Sequence, residues 1–150
     1  MLHLHGNGYN IGANLSQAVL FHQLGLSVLM LDYRGYGLSK GDFPTEASVY
    51  QDARAAWNYL TATRRLSPDR IFLFGHSLGG AIAIDLAITL PTTAGMIVQS
   101  SFTSMRGMVD QMGHFWMLPI DLLLTHQFDS MRKVPTLRTP VLYVHGTADT

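Results

Sequence analysis

The sequence predicts an α/β fold: a mostly parallel sheet with helices on both faces. Three observations carry this. Five short apolar runs (2–5, 27–31, 71–74, 95–99 and 141–144) have strand length and end in glycine, proline or polar residues. Longer segments with helical spacing separate most of them, and strands alternating with helices form parallel sheets wrapped on both sides. The run Val28-Leu29-Met30-Leu31 is apolar at every position, as expected of a strand covered on both faces rather than one. At 150 residues, with 47% hydrophobic and 13% charged, the chain can bury the core of one domain.

Each element follows in order. The first run ends in Gly6-Asn7-Gly8. Residues 11–24 read as a helix, with Leu15, Val19 and Leu20 as its apolar positions backed by Gln17 and Gln23, and Gly25 as its C-terminal cap. The strand at 27–31 runs into the glycine-rich loop Asp32-Tyr33-Arg34-Gly35-Tyr36-Gly37. A helix over 46–64 follows, with Tyr50, Ala53, Trp57 and Leu60 on one stripe. Its start is either a capping box of Ser48 with Gln51 or a cap at Thr45 after Pro44. Ser67-Pro68-Asp69-Arg70 is a turn feeding the strand at 71–74. The next helix stops at Pro91, and 95–99 is another buried strand. The stretch 101–135 is Met-rich, aromatic and irregular, and Pro140 introduces the last strand.

Composition excludes several classes. Formal charge is zero with a pI near 7.1, and of the ten basic residues only Arg64-Arg65 and Arg132-Lys133 touch, so no nucleic acid is expected as a partner. With no cysteine, disulfides and thiolate metal sites are excluded. The first residues show no signal-peptide pattern, and no apolar stretch is long enough to span a bilayer.

Residues 75–80 read Gly-His-Ser-Leu-Gly-Gly, after the run 71–74 and before the helix-compatible Ala81-Ile82-Ala83-Ile84. Strand, tight turn and helix in that order make Gly-x-Ser-x-Gly a nucleophile elbow, with Ser77 exposed on strained backbone above the sheet. Gly75 and Gly79 leave room for the reversal. Hydrolases on this sheet carry their triad in the order Ser, then Asp or Glu, then His. Of the acids beyond Ser77, Asp85 lies on the elbow helix and Asp110, Asp121 and Asp129 lie in the irregular segment. Asp149 alone follows a buried strand at the edge where sites assemble. The base should follow Asp149, yet the sequence ends at Thr150. His76 adjoins Ser77 but projects elsewhere. His5 and His145 precede glycines at strand ends, where imidazole bonds local backbone. His22, His114 and His126 read as surface or core residues.

Four segments carry a resemblance: His5-Gly6-Asn7-Gly8-Tyr9-Asn10, Asp32-Tyr33-Arg34-Gly35-Tyr36-Gly37, Gly75-His76-Ser77-Leu78-Gly79-Gly80 and His145-Gly146-Thr147-Ala148-Asp149. In order and spacing the chain resembles the α/β-hydrolase superfamily, especially single-domain serine hydrolases related to serine aminopeptidases and membrane-associated depalmitoylating enzymes. The resemblance implies Ser77 as nucleophile, Asp149 as triad acid, and the backbone N–H groups of Asn7 and Leu78 as the oxyanion hole. It implies hydrolysis of an ester, thioester or amide in a small-molecule or acylated substrate, without a cofactor. Family members have further elements before and after this stretch. The 150 residues therefore read as a partial domain lacking N- and C-terminal elements and the catalytic histidine, inactive alone. Membrane attachment through a preceding segment stays open. In this fold a cap often follows the sixth strand, which corresponds to about 101–135 here. Its Met105, Met108, Met112, Phe115, Trp116 and Met117 suit either an adaptable acyl wall or amphipathic helices covering the sheet.

Two other classes compete. One is an inactive binding protein on the same fold. The other is a dinucleotide-dependent oxidoreductase, with the glycines of 6–12 near a pyrophosphate and Asp32 on a ribose. A histidine at the strand-to-turn boundary is unusual there, and that reading leaves the Ser77 turn unexplained. A metal site at His3-x-His5 lacks a third ligand at a diagnostic spacing.

Overall fold

The computed structural model describes residues 1–8, 10–90, 92–104, 107 and 126–147. Five strands are defined: β1 (Leu2–Leu4), β2 (Leu29–Met30), β3 (Phe72–His76), β4 (Gly95–Gln99) and β5 (Val141–Val144). They form one sheet in the order β2-β1-β3-β4-β5, and every neighbouring pair is parallel. The carboxyl ends of all five strands therefore share one edge. Leu4 lies opposite Gly75, and His76 opposite Gln99, so the turns after β1, β3 and β4 meet there.

Helix α3 (Leu78–Ile88) is apolar at every position but Asp85, and nine of its eleven residues are buried, which makes it the centre of the core. Leu2, Leu4, Leu73, Ile82 and Met96 meet under or within it. Each contributes about 1.5–3 kcal/mol by leaving water. Helix α2 (Glu46–Asn58) packs on α3. The expected stripe of Ala53, Trp57 and Leu60 is buried, joined by Val49, while Tyr50 is half-buried. The cap is Thr45: its hydroxyl accepts from Ser48 N–H, and Ser48 Oγ accepts from Thr45 N–H. Past Asn58 the helix widens into a π-turn over Tyr59–Thr63.

Two expectations fail. The first helix comprises a 3-10 turn (Ile11–Asn14) and then α1 (Leu15–Gln23). Its Leu15, Val19 and Leu20 are 57%, 53% and 53% exposed, so they face away from the core. The inward face carries Gln17 and Phe21 instead. The sheet beneath presents His3 and Gln99, whose polar atoms require partners. Gln17 supplies both, 3.0 Å from His3 Nε2 and 3.1 Å from Gln99 Oε1, while Phe21 packs 4.9 Å from Phe74. The inward face of this helix thus answers polar groups of the sheet as well as packing on Phe74. The strand expected at 27–31 pairs only over Leu29–Met30 and is half-buried, because β2 lies at the edge of the described sheet.

Of the expected cap, the described part holds α4 (Ser130–Lys133) and a 3-10 turn at Val134–Thr136. Its Met-rich stretch lies outside the described residues. Among the described residues no helix is long and apolar enough to cross a membrane.

Candidate active site

Ser77 joins β3 to α3 with φ 52° and ψ −118°, a left-handed conformation that costs a non-glycine residue about 1–3 kcal/mol. Three hydrogen bonds hold it. Its N–H donates to Gln99 O at 2.9 Å, and its carbonyl accepts from Gly80 N–H and from Ser101 Oγ, each at 2.9 Å. The hydroxyl does not cap α3. Glycines permit the packing: a Cβ on Gly79 would overlap the carbonyl of Leu4 in β1, and one on Gly75 would overlap the backbone of Gly79. Leu78 opens α3, where first-turn amides have no intrahelical acceptor and the helix end is positive.

The turn after β1 packs directly on this one. A Cβ on Gly6 would lie 3.2 Å from Ser77 Cβ and 3.2 Å from His76 O. Asn7, Ser77 and Leu78 line one cavity of about 310 Å³, with Phe43, Val49, Phe102 and Phe128 as apolar walls and Tyr36, Glu46 and His126 as polar ones. A second hollow of about 390 Å³ adjoins it and shares Asn7, Tyr36, Phe43 and Pro44. A serine on strained backbone, two neighbouring backbone turns and a mostly apolar recess suit attack on a bound carbonyl.

The structure thus brings Ser77, Leu78 and Asn7 together, while Asp149 lies outside the described residues, as do Asp110 and Asp121. Asp85 pairs with Lys133 Nζ at 2.7 Å, and Asp129 caps α4. Sequence reasoning missed His126. It reaches the cavity because its Nδ1 accepts from Glu46 N–H at 3.3 Å, while Gln127 N–H donates to Glu46 Oε2 at 2.7 Å. These bonds span eighty residues, and no local pattern announces them. With Nδ1 accepting, the neutral ring carries its proton on Nε2, so this arrangement does not offer a basic Nε2.

Two other histidines belong to the core. His5 is 1% exposed, with Nδ1 2.7 Å from Gly6 O and Nε2 facing Asp32 Oδ1 at 3.5 Å. Burial pushes its pKa below the ordinary value, against the weaker opposing pull of the Gly6 carbonyl and Asp32. Burial likewise lowers His3, which stacks on Phe74 at 4.8 Å. Among the described residues no group of three acidic or histidine side chains could hold a metal. Asp32, the acid of the dinucleotide reading, is engaged inside the fold: Oδ1 accepts from Ile11 N–H at 2.8 Å and its side chain is 8% exposed.

Residues 1–132 match the family model described as serine aminopeptidase, S33. The uncharacterized protein Rv2307c of Mycobacterium tuberculosis is 39% identical over 146 residues, 96% of this chain and 50% of its own length. Protein bem46 of Schizosaccharomyces pombe is 33% identical over 99% of this chain and 50% of its own. The chain spans about half the length of these curated relatives. Among solved structures, an alpha-beta hydrolase from Vibrio vulnificus superposes with a TM-score of 0.79 and 30% identity, covering 95% of this chain and 54% of that one. The Pyrococcus furiosus esterase Pf2001 shares the fold at a TM-score of 0.73 and 20% identity, over 95% of this chain and 57% of its own. With its parallel sheet flanked by helices, the chain belongs to the serine aminopeptidase S33 family of α/β-hydrolases.

Proposed function

We propose that the protein hydrolyses an acyl bond through Ser77. The observation that carries this reading is the strained backbone of Ser77, held at the carboxyl edge of the sheet beside the Asn7 turn and a mostly apolar cavity. Ser77 Oγ attacks the carbonyl carbon and gives its proton to a base. The developing oxyanion is met by the N–H groups of Leu78 and Asn7, each worth about 3 kcal/mol in the transition state. Collapse expels the alcohol, thiol or amine, which takes the proton from the base. Water then attacks the acyl-enzyme by the same route and restores Ser77.

Asp149 orients the base in this proposal. We assign the base to a histidine that follows the triad acid, the order in which this fold's triads run; His3 and His5 are committed to the core, and His126 turns its accepting nitrogen to Glu46. The walls of Phe43, Val49, Phe102 and Phe128 suit an apolar acyl group, in a small-molecule ester or an acylated protein. No cofactor takes part.

The test is turnover of p-nitrophenyl esters by the full-length protein. Ser77→Ala should reduce kcat by roughly a millionfold if the triad acts as a unit, and His126→Ala should retain most activity. A Ser77→Ala enzyme with undiminished turnover would overturn the assignment. A full-length protein that binds acyl ligands but hydrolyses none would point to a binding protein on this fold.

A further inference from the structure

The loop Asp32-Tyr33-Arg34-Gly35-Tyr36-Gly37 has no part in the chemistry just described, yet it reaches across to the turn that carries Asn7. Three hydrogen bonds span the gap. Tyr36 Oη donates to Asn7 Oδ1 at 2.6 Å, Tyr33 Oη donates to the His5 carbonyl at 3.1 Å, and Ile11 N–H donates to Asp32 Oδ1 at 2.8 Å. The His5 ring is wedged between the two tyrosines, 4.6 Å from Tyr33 and 5.3 Å from Tyr36.

The turn packs on Ser77 through Gly6, while its tip has little other support among the described residues. Asn7 and Gly8 are exposed, Gly8 has a φ of +98°, and a Cβ there would touch nothing within 4 Å. The loop is itself tightly held. Gly37, at φ +53°, lies so close to Asp32 and Asn10 that a Cβ would overlap the Asp32 carboxylate. Ser39 Oγ donates to Asp32 O at 2.7 Å, and Arg34 pairs with Asp52 at 2.7 Å, anchoring the loop to α2. A rigid loop therefore grips the exposed tip of this turn.

We infer that Tyr36 is a positioning residue for the oxyanion hole, fixing the Asn7 backbone N–H through its hydrogen bond to the Asn7 side chain. This rests on the hydrolase reading above, which makes Asn7 an oxyanion donor. Preorganised donors stabilise the transition state only where the oxyanion forms, and a misplacement of about 1 Å can cost a hundredfold. Burial raises the Tyr36 pKa above its ordinary value, so the phenol stays a donor at neutral pH. Both Tyr36 and Asn7 line the Ser77 cavity, so substrate would exclude water from this bond as it binds.

The experiment is a double-mutant cycle in the full-length enzyme with a p-nitrophenyl ester, using Tyr36→Phe, Asn7→Ala and the pair. Tyr36→Phe keeps the ring against His5 and removes the hydroxyl alone. It should lower kcat about tenfold and leave KM within about twofold, the pattern of an interaction used in the transition state. Asn7→Ala should cost about as much, and the pair no more than the worse single variant, because both remove one coupling. Asn7→Asp, which keeps an acceptor for the phenol, should recover most of the kcat lost in Asn7→Ala. An unchanged kcat in Tyr36→Phe, a change confined to KM, or losses that multiply in the pair would each overturn the inference while Ser77-dependent turnover stands. Turnover surviving Ser77→Ala would overturn the hydrolase reading and this one with it.

Discussion

Ser77 occupies a conformation that a glycine adopts without strain, at φ 52° and ψ −118°. Ser77→Gly should therefore unfold at a higher urea concentration than Ser77→Ala, by about 1 kcal/mol after glycine's entropy cost is subtracted. Equal midpoints would mean that the turn stores no strain. A second residue-scale effect comes from His3 and His5. Unfolded histidine titrates near pH 6.5, whereas burial lowers both groups in the fold. Below the unfolded value the unfolded chain thus binds more protons, so stability is full above that pH and is lost as pH falls towards the folded values. Urea midpoints measured from about pH 7.5 to about pH 5 should fall, and His3→Gln should flatten the slope. An unaltered slope would remove His3 from the account. Ser77 and Leu78 were legible in sequence because strand, turn and helix are contiguous. Tyr36 and His126 were not, since their partners lie 29 and 80 positions away.

At the scale of elements, α3 lies against β1 so closely that no side chain fits between them at Gly79. Gly79→Ala would drive a methyl into the backbone of Leu4 and His5, neither of which is a flexible side chain. The expected loss is about 3 kcal/mol or more, larger than ordinary overpacking because backbone must move. Wild-type denaturation midpoints in this variant would contradict the packing. The buried stripe of α2 could be read in advance because its apolar spacing and its core contacts coincide. The face of α1 could not. Its apolar residues and its buried residues differ, since Gln17 answers polar groups on β1 and β4 that no local pattern reveals.

For the whole molecule, the parallel sheet was legible from the alternation of strands and helices, but its order was not. β3 lies between β1 and β4, and β2 pairs outside β1, so the chain doubles back after its second strand. That reversal brings the loop after β2 beside the turn after β1, and the turn after β1 beside Ser77. The candidate site is thus assembled from the ends of neighbouring strands: the Asn7 turn after β1, the loop after β2 and the Ser77-Leu78 turn after β3 lie in separate stretches of sequence. The central claim is that this convergence makes Ser77 a nucleophile. The most direct measurement is to treat the full-length protein with a fluorophosphonate and locate the adduct by tandem mass spectrometry. The account predicts one phosphonyl group, on Ser77, absent from Ser77→Ala. An adduct on another residue, or undiminished labelling of Ser77→Ala, would contradict it.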